Sequence, residues 1–146
     1  AKFIYGILER QFRNYYDKAF LQDGVTGDNL MVLLERRLDN LLYRSGMFLS
    51  RKGSRQAANH GHFLVNGKRV DIPSFQITQG DQVEWTERGK KTTLFEIAKS
   101  NCKSIASPHW VDLDQSSMGM KVLTEPTAED GEPEIDTTQI VEFYSK

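Results

Sequence analysis

Apolar residues first recur along the chain at helical spacing. Phe3, Ile7, Leu8, Phe12, Tyr15, Tyr16 and Ala19 repeat every three or four positions, which predicts a helix over residues 3–20. The loop Asp23-Gly24-Val25-Thr26-Gly27-Asp28 follows, with Thr26 or Asp28 placed to cap the next helix. That helix is expected over residues 29–46. Leu30, Leu33, Leu34, Leu38, Leu41 and Leu42 share one face, while Glu35, Arg36, Arg37, Asp39 and Arg44 take the other, and Gly46 ends it. Ser50 is placed to cap a short helix over residues 50–60, weakened by Gly53, since an interior glycine costs about 1 kcal/mol against alanine.

The pattern then shifts toward strands. Phe63-Leu64-Val65-Asn66-Gly67-Lys68-Arg69-Val70 sets two β-prone runs around Asn-Gly, the strongest short-range hairpin signal, with Gly67 wanting a positive φ. Residues 72–75 and 81–85 read as further short strands with a turn at 79–81, and residues 93–103 as a helix. Residues 123–135 hold Pro126, Gly131, Pro133 and five acids, so an extended acidic linker is expected there. Residues 138–144 read as a short apolar element docking back onto the body.

Composition narrows the class. The chain has 146 residues, 38% hydrophobic and 27% charged, enough apolar material for a core and too much for global disorder. Its apolar runs are too short for a membrane-spanning helix, and no membrane partner is expected. Cys102 is the single cysteine, which excludes an internal disulfide and a cysteine-based zinc site. The net charge of −1 averages two unlike parts. Residues 1–111 carry 17 Lys/Arg against 11 Asp/Glu, a balance of +6, and residues 112–146 carry 2 against 9, a balance of −7. A basic working body with an acidic tail segment fits that asymmetry.

The candidate chemistry lies between Arg36 and Val70. Arg36, Arg37, Arg44, Arg51, Lys52, Arg55, Lys68 and Arg69 make its polar positions cationic. Arginines can fork onto phosphate oxygens, while Gln56, Asn59, His60 and Asn66 can hydrogen-bond sugars and base edges. A solvated charged face is the competing reading. On the first helix Arg10, Arg13, Tyr15 and Tyr16 interleave rings with cations, which suits folded RNA, although Tyr16 equally suits a core. His60, His62 and His109 lack the spacing of a metal site, and neither Cys102 nor any serine has a matching base. The sequence points to no enzyme, no metal and no cofactor.

At this point the blocks resemble a known family. Tyr5-Gly6-Ile7-Leu8-Glu9-Arg10-Gln11-Phe12-Arg13-Asn14-Tyr15-Tyr16, Leu33-Leu34-Glu35-Arg36-Arg37-Leu38-Asp39-Asn40-Leu41-Leu42-Tyr43-Arg44-Ser45-Gly46, and the run from Ser50-Arg51 to His60-Gly61-His62-Phe63-Leu64-Val65-Asn66-Gly67 are similar to bacterial-type small-subunit ribosomal protein S-four. Ile72-Pro73-Ser74-Phe75 and Ile140-Val141-Glu142-Phe143-Tyr144-Ser145-Lys146 match as well, so the likeness covers essentially the whole chain. It implies an α+β fold: a helical domain of residues 1–36 completed by 132–146, and an inserted RNA-binding module, 37–131, with a helix–loop–helix packed on a small antiparallel sheet. It further implies that the family's N-terminal segment is missing from this sequence, in keeping with a first residue other than Met. The implied role is a structural, non-catalytic constituent of the small ribosomal subunit that binds a multi-helix junction of its rRNA early in assembly. The implied place is near the channel by which mRNA enters, in a bacterial ribosome of the cytoplasm or an organelle ribosome of bacterial type. Neighbouring ribosomal proteins and mRNA are the implied further partners, and some members repress translation of their own operon. The implied RNA-binding residues are Arg10, Arg13, Arg37, Arg44, Arg51, Arg55, Gln56, His60, His62, Asn66 and Lys68. Two departures stand out. Lys52, Gly53 and Ser54 occupy positions where the family reads Ala-Glu-Ala, with Ala57 and Ala58 replacing larger apolar residues, and residues 123–128 lack the family's basic stretch. The second reading is the RNA-binding module of an RNA-modifying or stress-response protein.

Overall fold

The computed structural model describes Ile7, residues 9–132 and residues 141–143. Its α+β architecture divides into two compact units, one of residues up to Arg36 with those from Pro126 onward, the other Arg37–Glu125.

In the first unit α1 (Glu9–Leu21) packs on α2 (Thr26–Glu35). Phe12, Tyr16 and Ala19 lie on one stripe of α1 and are buried, so Tyr16 takes the core role. Leu30, Met31, Leu33 and Leu34 of α2 supply the facing side chains, with Ile7 beside them. Neither Thr26 nor Asp28 caps α2. The cap position is Val25, with no side-chain bond, and Asn29 instead donates to the carbonyls of Ala19 and Asp23, each at 3.2 Å, closing the loop onto the end of α1. The acidic stretch is not simply extended either. Ala128–Asp130 forms a 3-10 turn on α2, because Asp130 accepts from the Thr127 N–H at 2.7 Å and its hydroxyl at 3.1 Å. Phe3, Tyr5 and Leu8 of the expected first helix, and residues 138–140 and 144 of the expected terminal element, lie outside the described residues. Residues 141–143 form a helical turn with Phe143 exposed.

The second unit holds α3 (Leu38–Arg44), α4 (Arg51–Asn59), β1 (Phe63–Val65), β2 (Lys68–Val70), β3 (Gln82–Trp85), α5 (Glu87–Lys90), α6 (Thr93–Cys102), β4 (Val111–Asp114) and β5 (Gly119–Val122). The strands form one antiparallel sheet in the order β2-β1-β3-β5-β4. The single helix expected over 29–46 is therefore two. Arg37 adopts an extended backbone (φ −67°, ψ 141°) and pairs as an isolated bridge with Gln76. The first N–H groups of α3 find carbonyls outside the helix: Leu38 donates to Phe75 at 2.9 Å and Asp39 to Pro73 at 3.0 Å. Those acceptors come from residues 72–75, which form a turn closed by the Phe75 N–H on the Ile72 carbonyl (3.1 Å) rather than the expected strand.

The Asn-Gly hairpin forms as the sequence indicates, with Asn66 at φ 52° and Gly67 at φ 82°, both in the left-handed region that a two-residue turn requires. The β4–β5 hairpin had no comparable signal. Leu38, Leu41 and Leu42 of α3 join Phe63, Trp85, Trp110 and Met118 in the core between helices and sheet. Phe63 and Trp85 lie 4.6 Å apart, and Phe95 of α6 meets the indole edge-on at 5.1 Å. Ala57 and Ala58 are fully buried, so the small side chains of α4 are the ones its core face uses.

Candidate nucleic-acid interface

Ser50 caps α4 as its position predicts, its hydroxyl accepting from the Gly53 N–H at 3.0 Å. From that start α4 buries Ser54, Ala57 and Ala58 and turns Lys52, Gln56 and Asn59 to solvent. Arg51 and Arg55 stand one turn apart on a third, half-buried face, where α3 holds both of them. The Arg51 guanidinium lies 4.5 Å from the centroid of the Tyr43 ring and donates to Asn40 Oδ1. Arg55 Nε sits 3.7 Å from Asp39 Oδ2. Asp39 in turn receives Arg37 bidentately, Nε at 3.0 Å and Nη2 at 2.9 Å.

This geometry sorts the sequence-predicted residues. Arg37 is only 3% exposed and its guanidinium is bonded to Asp39, so it braces the face from within instead of standing on it. Arg51 and Arg55 are brought together, with Gln56 exposed beside them and Arg44 half-buried at the end of α3. His60 caps the far end of α4 and His62 follows at the start of the sheet, their rings 6.0 Å apart. Lys68 is exposed on the edge strand β2. Asn66 is exposed, but its side chain serves its own turn, donating to Asp81 at 2.9 Å and accepting from the Gln82 N–H at 3.0 Å. Arg10 and Arg13 are exposed on α1, in the other unit. Asn40, Tyr43 and Asp39, which hold the arginines, were hidden from sequence reasoning because their partners lie on a different helix.

His62 stacks on Trp85 at 6.1 Å and 30°. Partial burial holds its imidazole below the usual histidine value, helped by the positive charges of His60, Arg69 and Arg88. Arg69 donates from Nε to the Gly61 carbonyl at 3.1 Å, and its guanidinium occupies the space a side chain at position 61 would need; Gly61 is left-handed at φ 76°. Cys102 is buried and its thiol is pushed up to about 11 by that burial, so it is not a nucleophile at neutral pH. Among the described residues no three His, Cys, Asp or Glu are grouped to hold a metal ion, and no helix is long and apolar enough to cross a membrane.

A family profile described as "S4 domain" matches residues 36–83, the α3–α4 pair and the first strands. A second, "Ribosomal protein S4/S9 N-terminal domain", matches residues 1–35. Over almost its full length the chain is also similar to small ribosomal subunit protein uS4 of several bacteria. It is 47% identical to that of Chlorobium limicola over 99% of this chain and 71% of the relative. The figures for Clostridium tetani are 47%, 100% and 70%. For Corynebacterium kroppenstedtii they are 45%, 100% and 73%. The chain belongs to the uS4 family. As a uS4-family member it is a structural ribosomal protein and not an enzyme. The similarity runs through both units, which sets aside a lone RNA-binding module attached to a modifying enzyme.

Proposed function

We propose that this uS4-family chain docks on a multi-helix junction of small-subunit rRNA as an early-binding assembly protein. The observation that carries this reading is the pair Arg51 and Arg55, fixed one turn apart by Tyr43, Asn40 and Asp39. Two guanidiniums already held in place lose little side-chain entropy when they fork onto phosphates, so more of the contact energy appears as affinity. Gln56, His60, His62, Asn66, Lys68 and Arg44 extend the contact along Arg37–Glu125, acting as an inserted RNA-binding module, and Arg37 serves it from beneath. Arg10 and Arg13 supply backbone contacts from the helical unit that holds α1 and α2. Small-subunit rRNA and neighbouring ribosomal proteins are the partners, near the channel by which mRNA enters. The site of action is a ribosome of a bacterium or of an organelle of bacterial type. Repression of its own operon's translation would use the same face. Support comes from the family and from the cationic, donor-rich character of the α3–α4 pair.

Filter-binding titrations against a small-subunit rRNA junction test the reading. Replacing Arg51 and Arg55 together with Gln should weaken binding at every sequence variant of the junction. It should also lower the slope of log K against log salt by about 1.4–1.8, since each phosphate contact contributes roughly 0.7–0.9. Unchanged affinity and slope would remove this face from the interface.

A further inference from the structure

The end of α4, the start of β1, strand β2 and the start of α5 enclose a cleft lined by His60, Gly61, His62, Arg69, Thr86 and Arg88. Among the described residues no carboxylate lines it. Arg69 bonds there to the carbonyls of Gly61 and His60, which carry no formal charge, so it is anchored without being neutralised. Among the described residues neither Arg69 nor Arg88 forms an ion pair; Glu87, next to Arg88 in sequence, is paired with Lys90 at 3.5 Å. Thr86 Oγ1 accepts from the Gly89 N–H and so keeps its own proton to donate. The Trp85 ring is buried and covered by His62, so the cleft presents charge and N–H donors, not an open indole face for a base.

Convergent donors without a carboxylate are the chemistry of an oxyanion site. We propose that this cleft seats a backbone phosphodiester of the RNA, with Arg69 and Arg88 as charged donors and Thr86, His60 and His62 completing the set. The inference rests on the RNA-binding reading above; it adds Thr86 and Arg88, which neither the motifs nor the α3–α4 face pick out, and gives Arg69, until now one cation of a basic stretch, a defined place. A phosphate beside His62 also favours its protonated form. The groups facing His62 are His60 from the end of α4, Arg69 from β2, Arg88 from α5 and the uncharged Trp85 from β3. Its proton is therefore held weakly in the free protein, and binding takes one up.

The test uses the full chain and the same rRNA junction. Arg88 is exposed, so Arg88→Gln leaves the fold intact, checked by an unchanged Tm. The expected result is several-fold weaker RNA binding with the salt slope lowered by about 0.7–0.9. Wild-type affinity should also rise as pH falls from 7.5 to 5.5, and His62→Gln should lose part of that rise, a response a merely structural histidine would not give. Wild-type affinity and slope in Arg88→Gln would overturn the cleft and leave the Arg51–Arg55 face standing. Failure of the wild-type chain to bind the junction would overturn both. In parallel, histidine ring resonances are followed while inorganic phosphate or RNA is added. Movement with millimolar phosphate but not with RNA would mark a free-anion site and overturn the RNA assignment.

Discussion

Asp39 stands out in the sequence only as one of two acids within a cationic stretch, yet in the folded chain it is where two arginines meet. It is 5% exposed, Arg37 is 3% exposed, and the pair is bidentate. A buried pair of this kind contributes little over an apolar substitute, but removing one member takes the bidentate partner from a charge that stays in a dry place. Asp39→Ala is therefore expected to cost about 3–5 kcal/mol in urea unfolding, and the double change Arg37→Met with Asp39→Leu distinctly less. If the single and double variants are equally destabilised, the buried charge is not the cause. The arginines were legible at this scale because their type and clustering suffice to suggest phosphate contact. Which of them reach the surface was not, because that depends on partners brought in by α3.

The α4 helix shows how local signals and packing combine. Ser50→Ala should destabilise the second unit by about 1 kcal/mol, since it removes the acceptor for the Gly53 N–H. Gly53→Ala would ordinarily gain about 1 kcal/mol of helix propensity. Here the added Cβ would lie 3.2 Å from Ser50 Oγ, pressing on the cap, so the measured gain in a thermal melt should fall well short of that value. The Ser50 cap, the Asn66-Gly67 hairpin, β3 and α6 were all legible because each rests on neighbours in sequence. The break between α2 and α3 was not, since it is set by carbonyls from residues 72–75. The β4–β5 hairpin was missed for a related reason. Its turn places Met118 at φ 61°, where glycine or asparagine would have signalled it, and Met118 is tolerated there while its side chain is fully buried in the core.

For the molecule as a whole, the charge of −1 and a sequence pI near 6.4 predict a solubility minimum close to that pH at low salt, relieved as salt is added. Turbidity measured from pH 5 to 8 checks it, and a minimum well away from 6.4 would mean that folded-state ionisation departs from the composition. The same balance is distributed unevenly across the sheet. Lys68 and Arg69 lie on strand β2 at one edge, Asp112 and Asp114 on strand β4 at the other, with three strands between. At about 4.8 Å per strand the edges are roughly 19 Å apart, more than twice the ~8 Å over which physiological salt screens charge. The acids therefore leave the basic edge's field intact nearby, and the sheet carries its charge as two separate poles, cationic along β2 and acidic along β4.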